Sequence, residues 1–382
     1  MHPMLKPALR RAWRGRSTVQ FGVTPAHAVT LGPVDIATGS FLELLDGTRG
    51  LPLLREEARA LDLSDRHVDV LVERLAEAGL LDDPRAGGPQ AEVLRCRAEV
   101  MERQRPDVAS LSVVHPAPGE GLRRMAARRS MRVQVRGAGR VGAAIAAVLS
   151  GSGVGQVEVL DGGRTEPGDV APAGLPPASV GERRDTAARR LVRRAAAGPA
   201  PRSTESGRNT MGGQPPLSLI VVAPRDGLSV YAPLPDTAGP WIASGTPHLY
   251  AGVIEATGVV GPLVLPGGTS CAGCLELHRA DRDPQWPRML AQWRSGRRGA
   301  AAPACDLGLA TAVAGLASAH ALSFLDGELP ASTGARWEAA LPLLDWRSER
   351  IGAHADCSCG AAEHGKGDRA SGSVAAQDTM AG

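Results

Sequence analysis

The chain reads as an α/β protein, a Rossmann-like domain carrying a four-cysteine metal site and preceded by a small helical module. Three observations point there. Apolar Val133 and Val135 run into Gly137, Gly139 and Gly142 and then into a helix of small residues. This is the GxGxxG turn, in which glycines permit a tight bend, close backbone approach to a phosphate, and close helix–strand packing. Far downstream, a CAGC pair (Cys271, Cys274) and a CSC pair (Cys357, Cys359) offer four thiols. Two close pairs separated by a folded segment suit one tetrahedral zinc ion. Beyond the loop, strand-like apolar runs alternate with helical spacing, as in a sheet covered by helices.

Composition narrows the function classes. A length of 382 residues accommodates two domains, and a net charge of +3 does not by itself call for a nucleic-acid partner. No apolar run approaches a membrane span, and the first residues lack the apolar core of a secretory signal, so the expectation is a cytoplasmic protein with no membrane partner. Close cysteine pairs in such a chain read as metal ligands rather than as a disulfide framework. Lys6 and Lys366 are the only lysines, so the positive charge is almost all arginine and no lysine lies near the glycine loop.

Taken in order, residues 1–16 are basic and read as loose. Short β-like runs at 19–23 and 28–31 precede helical patterns near 36–46, 51–61 and 65–79. In the last, Val68, Leu71, Val72 and Leu75 recur at helical spacing behind Ser64 as N-cap. Residues 17–83 are therefore expected to form a winged-helix-like module. Residues 84–119 read as a linker followed by a helix near 93–104 and a strand near 108–114, and 120–360 as the nucleotide-binding domain, opened by a helix near 120–129. The strand from Val157 to Leu160 ends at Asp161, the acid expected about 20 residues beyond a dinucleotide loop to accept from ribose hydroxyls. Arginine-rich 181–197 reads as helix, 198–216 as a disordered insertion, and 217–223 as a buried parallel strand. Strands near 249–255 and 259–265, a helix near 306–325 and a disordered tail from 361 complete the chain.

Glycine loop, ribose acid and paired cysteines, in this order over about residues 125–360, resemble the ThiF/MoeB/ubiquitin-activating (E1-like) superfamily of actinobacterial type. The resemblance implies a mixed sheet, a structural four-cysteine zinc site, and adenylation of the C-terminus of a small ubiquitin-like or sulfur-carrier protein, or a peptide, with ATP and magnesium. It also implies a homodimer. Carried over by residue, the stretch after Asp161 puts Asp169, Pro172 and Ala173 where the family has an Asn, an Arg and a Gln for the triphosphate. Val180-Gly181-Glu182-Arg183-Arg184 matches the family's V-G-x-x-K with Arg184 in the lysine slot, an exchange that keeps charge but changes geometry. Asp226 takes the place of the acid that helps hold magnesium, with Ala223 where a preceding acid is usual. Cys305 opens the segment that in some members begins with a sulfur-transfer or thioester cysteine. The plainer reading of Cys305 is a small core residue, and of His278 and His354 a surface or supporting role.

The 65–79 helix sets Asp65, Asp69, Glu73 and Glu77 against Arg66 and Arg74, a face that repels phosphate, so no nucleic-acid partner is expected. Small winged modules joined to ThiF-like domains resemble elements that take a peptide as an added strand, here along the strands around 19–31. Two alternatives to an adenylyltransferase stand beside it. One is a catalytically degenerate ThiF-like scaffold that binds a peptide or partner enzyme, favoured by the altered phosphate clamp. The other is an NAD(P)- or FAD-dependent oxidoreductase, which rests on the glycine loop alone.

Overall fold

A computed structural model of the chain describes residues 1–199, 216–295 and 303–362. The insertion expected at 198–216 and the tail expected from 361 fall almost wholly outside them. Two compact units emerge, Met1–Ser130 with Ala197–Pro201, and Met131–Ala196 with Arg202–Gly382. The division falls at Ser130, so the helix placed at the head of the larger domain belongs to the smaller unit.

The smaller unit opens with β1 (Met4–Leu5), β2 (Arg11–Trp13), β3 (Val19–Phe21) and β4 (Val29–Leu31). Residues 1–16 thus contain two strands that their basic composition hid. β2, β3 and β4 form an antiparallel sheet in that order, while β1 pairs with β5 (Leu81–Asp82). The helices α1 (Ile36–Leu44), α2 (Leu51–Arg59) and α3 (Asp65–Glu77) lie between β4 and β5. Asp35 accepts from the Thr38 N–H at 2.7 Å to start α1, and Ser64 accepts from His67 N–H at 3.3 Å to start α3. Val68, Leu71, Val72 and Leu75 are buried with Phe41 and Leu54, as the helical spacing predicts.

The linker expected at 84–92 runs into a helix from Gly88, and the helix expected near 93–104 divides between two helices. α4 (Gly88–Arg95), α5 (Ala98–Val114) and α6 (Glu120–Arg128) bury Ala91, Leu94, Leu111, Leu122 and Met125 in a core of their own. The strand expected at 108–114 is the second half of α5. Pro106 lies inside that helix, and the β-branched run after it mimics a strand. The buried side of α5 also carries Gln104, wholly enclosed, whose amide oxygen and nitrogen have no hydrogen-bond partner among the described residues. An unpaired buried amide costs about 1–3 kcal/mol. Gln104→Leu is accordingly expected to raise the melting temperature by several degrees, and an unchanged or lowered melting curve would show that the amide is satisfied in solution.

The larger unit begins with β6 (Arg132–Arg136), α7 (Arg140–Gly151), β7 (Gln156–Leu160), α8 (Arg184–Ala195), β8 (Leu219–Val222), α9 (Leu228–Tyr231) and α10 (Pro235–Ala243). It continues with β9 (His248–Ile254), β10 (Thr257–Val264), α11 (Ala272–Arg282), α12 (Trp286–Ser295), α13 (Leu307–Leu325), β11 (Ala335–Ala340) and β12 (Arg347–Arg350). The seven strands run β12-β11-β10-β9-β8-β6-β7, parallel from β9 to β7 and antiparallel from β9 to β12, the mixed sheet that was expected.

Period-two alternation divides the sheet into two faces. Leu219 and Val221 of β8 and Leu249 and Ala251 of β9 enter one core with α7 and α13, whereas Ile220, Val222 and Tyr250 enter another with Trp241 and the first cysteine pair. α13 is long and apolar enough to cross a bilayer, which corrects the expectation that no run reaches that length. Its Leu309, Val313, Ala317 and Ala321 are instead buried against α7, β9 and β10, so it serves here as the core helix of the sheet.

Candidate functional site

The glycine turn joins β6 to α7 as its spacing predicts. Gly137 sits at φ +115°, and a Cβ there would lie 2.0 Å from the Ala223 carbonyl oxygen, so only glycine fits. A Cβ on Gly142 would meet the Gly137 oxygen at 2.2 Å, which explains how α7 begins so close to the strand end. At Gly139, the glycine whose bare backbone faces a pyrophosphate in this motif, a Cβ would meet Arg225 Cγ at 2.8 Å. The side chain of Arg225 thus lies directly on the loop.

A cavity of about 140 Å³ opens here, with Gly139, Arg140, Asp169, Ala223, Arg225 and Cys305 among its walls. Small-molecule sites span roughly 300–1,000 Å³, so side chains must move to admit a whole nucleotide. Its two cations differ in how they are held. Arg140 donates through Nε to the Gly168 oxygen at 2.7 Å and through Nη1 to the Cys305 oxygen at 2.9 Å, and no carboxylate among the described residues pairs with its charge. Arg225 spans Glu166, at 2.8 and 3.1 Å, and the deeply buried Asp169, at 2.6 Å from its Nε.

Asp161 stands at the end of β7, where the ribose acceptor was expected, but its oxygens are engaged. Oδ2 accepts from Ala138 N–H at 2.9 Å, and Oδ1 from Gly163 N–H at 2.9 Å and from Arg184 Nε at 2.8 Å. Burial pushes its pKa up, yet the Gly163 and Ala138 N–H groups and the Arg184 guanidinium outweigh that and hold it below the usual carboxylate value. Arg184, assigned by motif to the phosphates, turns inward to bridge Asp161 and Asp169, the latter at 3.5 Å, and also donates to the Arg164 carbonyl. Arg184 is not among the cavity's wall residues, while Arg225 is.

Asp226 lies two residues before the short α9. Oδ1 accepts from Leu228 N–H at 3.1 Å and Oδ2 from Ser229 Oγ–H at 3.3 Å. Cys305 reaches the cavity two residues before α13, and burial pushes its thiol pKa up against the opposing field of Arg140, so the sulfur is not poised as a thiolate. Asp306 beside it caps the helix through Leu309 N–H at 3.0 Å.

The four cysteines converge on the opposite face of the sheet. Cys271 and Cys274 open α11, Cys357 and Cys359 lie in the segment after β12, and the four sulfurs all lie within 4.8 Å of one another. The Cys271–Cys357 and Cys274–Cys359 separations are both 3.6 Å. A tetrahedral ion with bonds of about 2.3 Å sets sulfurs roughly 3.8 Å apart, whereas a disulfide would need about 2 Å, so the donor set fits zinc. The Cys271 thiol donates to the Cys274 sulfur, pulling the Cys274 pKa down to about 4 and pushing that of Cys271 up.

His354 supports this cluster. Its carbonyl accepts from Cys357 N–H at 3.1 Å, and its Nε2 meets the Asp281 carboxylate at 2.8 Å while Nδ1 accepts from Asp356 N–H at 3.1 Å. His278 bonds the Gly352 oxygen at 3.0 Å and stacks edge-on to His354. Because its Nδ1 already takes a backbone proton, His354 keeps its own proton on Nε2 for Asp281 and acts as a buttress to the cysteine loop.

In the smaller unit, β3 is the central strand, so within the expected 19–31 the edge is β4 (Val29–Leu31). The edges are β2 and β4. Beside β2 lies a groove of about 470 Å³ walled by Trp13, Arg16, Asp35, Ile36, Ser40 and Glu43, with Trp13 53% and Ile36 89% exposed.

Comparison with known proteins agrees with this architecture. Residues 115–200 match the model of the ThiF family. The E. coli MccB structure solved with succinimide superposes with a TM-score of 0.66 at 14% identity, over 94% of this chain and 99% of MccB. MccB solved with ATP gives a TM-score of 0.66 at 15% identity, over 94% and 99%. The heterocyclase TruD gives 0.58 at 16% identity, covering 95% of this chain and 43% of TruD. The chain has the ThiF/E1-like fold. No protein of curated function matches the sequence. Within this fold the glycine loop, Asp161 and the four cysteines were all reachable from the sequence. Arg225, Glu166 and the buried role of Asp169 were not, since their pairing spans up to 59 residues and leaves no local pattern.

Proposed function

We propose that the protein activates the C-terminal carboxylate of a peptide or small carrier protein as an acyl-adenylate, acting in the cytoplasm with ATP and magnesium. The carboxylate oxygen attacks the α-phosphorus of ATP, the bond from that phosphorus to the bridging oxygen breaks, and pyrophosphate leaves with the electron pair. The observation that carries this reading is the glycine turn opening on a cavity walled by Arg140 and Arg225 in a ThiF-type sheet. Among proteins of similar fold, MccB has been solved with ATP and with N-formylated MccA.

In this reading the loop amides and the fixed charge of Arg140 receive the phosphates. Asp226, in the turn between β8 and α9, is the candidate for holding magnesium, which when bound would neutralise charge on the departing pyrophosphate. Asp161 fixes the loop through Ala138 N–H and stands at the end of β7, the position from which this motif's acid faces the ribose. The peptide binds the smaller unit as a strand added to β2, with Trp13 and Ile36 as apolar contacts. The four cysteines hold zinc as a closed structural site, and the active species is a homodimer as the family resemblance implies.

The test is pyrophosphate exchange into ATP, stimulated by a peptide bearing a free C-terminus. Stimulated exchange that falls by about tenfold or more in Asp226→Ala supports the reading. A wild-type chain that binds peptide but shows no exchange with any acceptor supports the second reading, a scaffold, which the mutual pairing of Asp161 with Arg184 and of Glu166 with Arg225 favours.

A further inference from the structure

We propose that Arg225 is the switchable phosphate-binding cation of this site, and that Glu166 competes with the nucleotide for it. The inference rests on the nucleotide reading above and assigns the cation role to a residue the motif pattern did not single out. Three observations place it. The stem of Arg225 lies over Gly139, at the bare backbone where a pyrophosphate approaches this motif. Its guanidinium is held on both sides, in a paired contact to Glu166 and through Nε to Asp169. Those carboxylates differ, since the Asp169 side chain is 3% exposed and the Glu166 side chain 61%.

The contrast in burial gives the device its direction. Asp169 is locked in place, because it also accepts from Glu166 N–H at 2.9 Å and meets Arg184. Glu166 sits in solvent, where an ion pair contributes little and can be exchanged. A triphosphate brings several charged oxygens to the same fork and offers arginine the paired geometry it now makes with one carboxylate. Arg225 therefore leaves Glu166 for phosphate while Asp169 keeps its Nε, and the cavity widens as the side chain lifts from the loop. Arg184 cannot do this, with both of its acidic partners buried.

The experiment is titration calorimetry of the full-length protein with ATP and magnesium, with melting curves for every variant. Glu166→Gln keeps the side chain's shape, removes the competing charge, and is expected to tighten ATP binding severalfold. Arg225→Ala is expected to weaken it by about tenfold or more, measured well below a melting temperature that the loss of the buried Asp169 partner lowers. Wild-type binding that neither substitution changes overturns the proposal and leaves the nucleotide reading intact. Binding seen only in Glu166→Gln supports it, as a latch closed in the wild type. Absence of binding in wild type and Glu166→Gln alike rejects both the proposal and the reading beneath it.

Discussion

With Cys271 and Cys274 both changed to serine, the chain is expected to lose its metal and several kcal/mol of stability. The unaltered protein, purified without chelator, should carry about one zinc per chain. The cysteine cluster ties the start of α11 to the segment after β12, two stretches 85 and 86 residues apart that meet at sulfur separations of 3.6 Å. The thiol of Cys271 beside it pulls the Cys274 pKa down, while burial pushes that of Cys357 up. Zinc binding would replace weak sulfur contacts by coordination bonds to thiolates, and because no such site exists in the unfolded chain, the binding energy adds to folding energy. A domain's whole stability is about 5–15 kcal/mol, so this single cluster can decide whether the C-terminal segment stays docked. Metal analysis of wild type and double mutant, paired with thermal melting, tests the claim. A wild-type chain free of zinc whose melting is unchanged by the double substitution would remove the site.

The cysteines were legible because ligand chemistry leaves few other uses for two close pairs, and the glycine turn because its constraint is local. Gly137, Gly139 and Gly142 answer contacts from Ala223, Arg225 and Gly137 itself. Helices with a capping residue and a regular apolar stripe, such as α3, were equally readable. The misreadings have physical causes. Pro106 lies inside α5, where propensity alone ends a helix, and tertiary packing of Leu111 and its neighbours carries the helix on. β1 and β2 are two and three residues long, too short to alternate visibly, and are made by pairing with distant partners. The motif gave Arg184 its place in the chain but not the direction of its side chain. That direction depends on Asp161 and Asp169, 23 and 15 residues away, and on the space left beside Gly163, where a Cβ would fall 2.0 Å from Arg184 Nη2.

Arg184→Ala is for the same reason expected to act first on stability. It strips the arginine from Asp161, a side chain 9% exposed, while Asp169 keeps Arg225, and removing one partner of a buried ion pair typically costs about 3–5 kcal/mol. Arg184→Lys should recover only part of this, because one ammonium cannot reach both carboxylates and the Arg164 carbonyl in the planar geometry that guanidinium provides. The pH dependence has a definite sign. Asp161 has a folded pKa below its ordinary 3.8, so its stabilising contribution is complete above that value and is lost as pH falls through the folded value. Without Arg184 the folded pKa rises, and the acid limb of the stability curve moves to higher pH. Denaturant melts of wild type, Arg184→Ala and Arg184→Lys between neutral pH and about pH 3 measure all three effects. If Arg184→Ala melts as the wild type does and instead abolishes ATP binding, the arginine serves the phosphates as the motif implied, and the inward pairing seen here is a resting position that nucleotide releases.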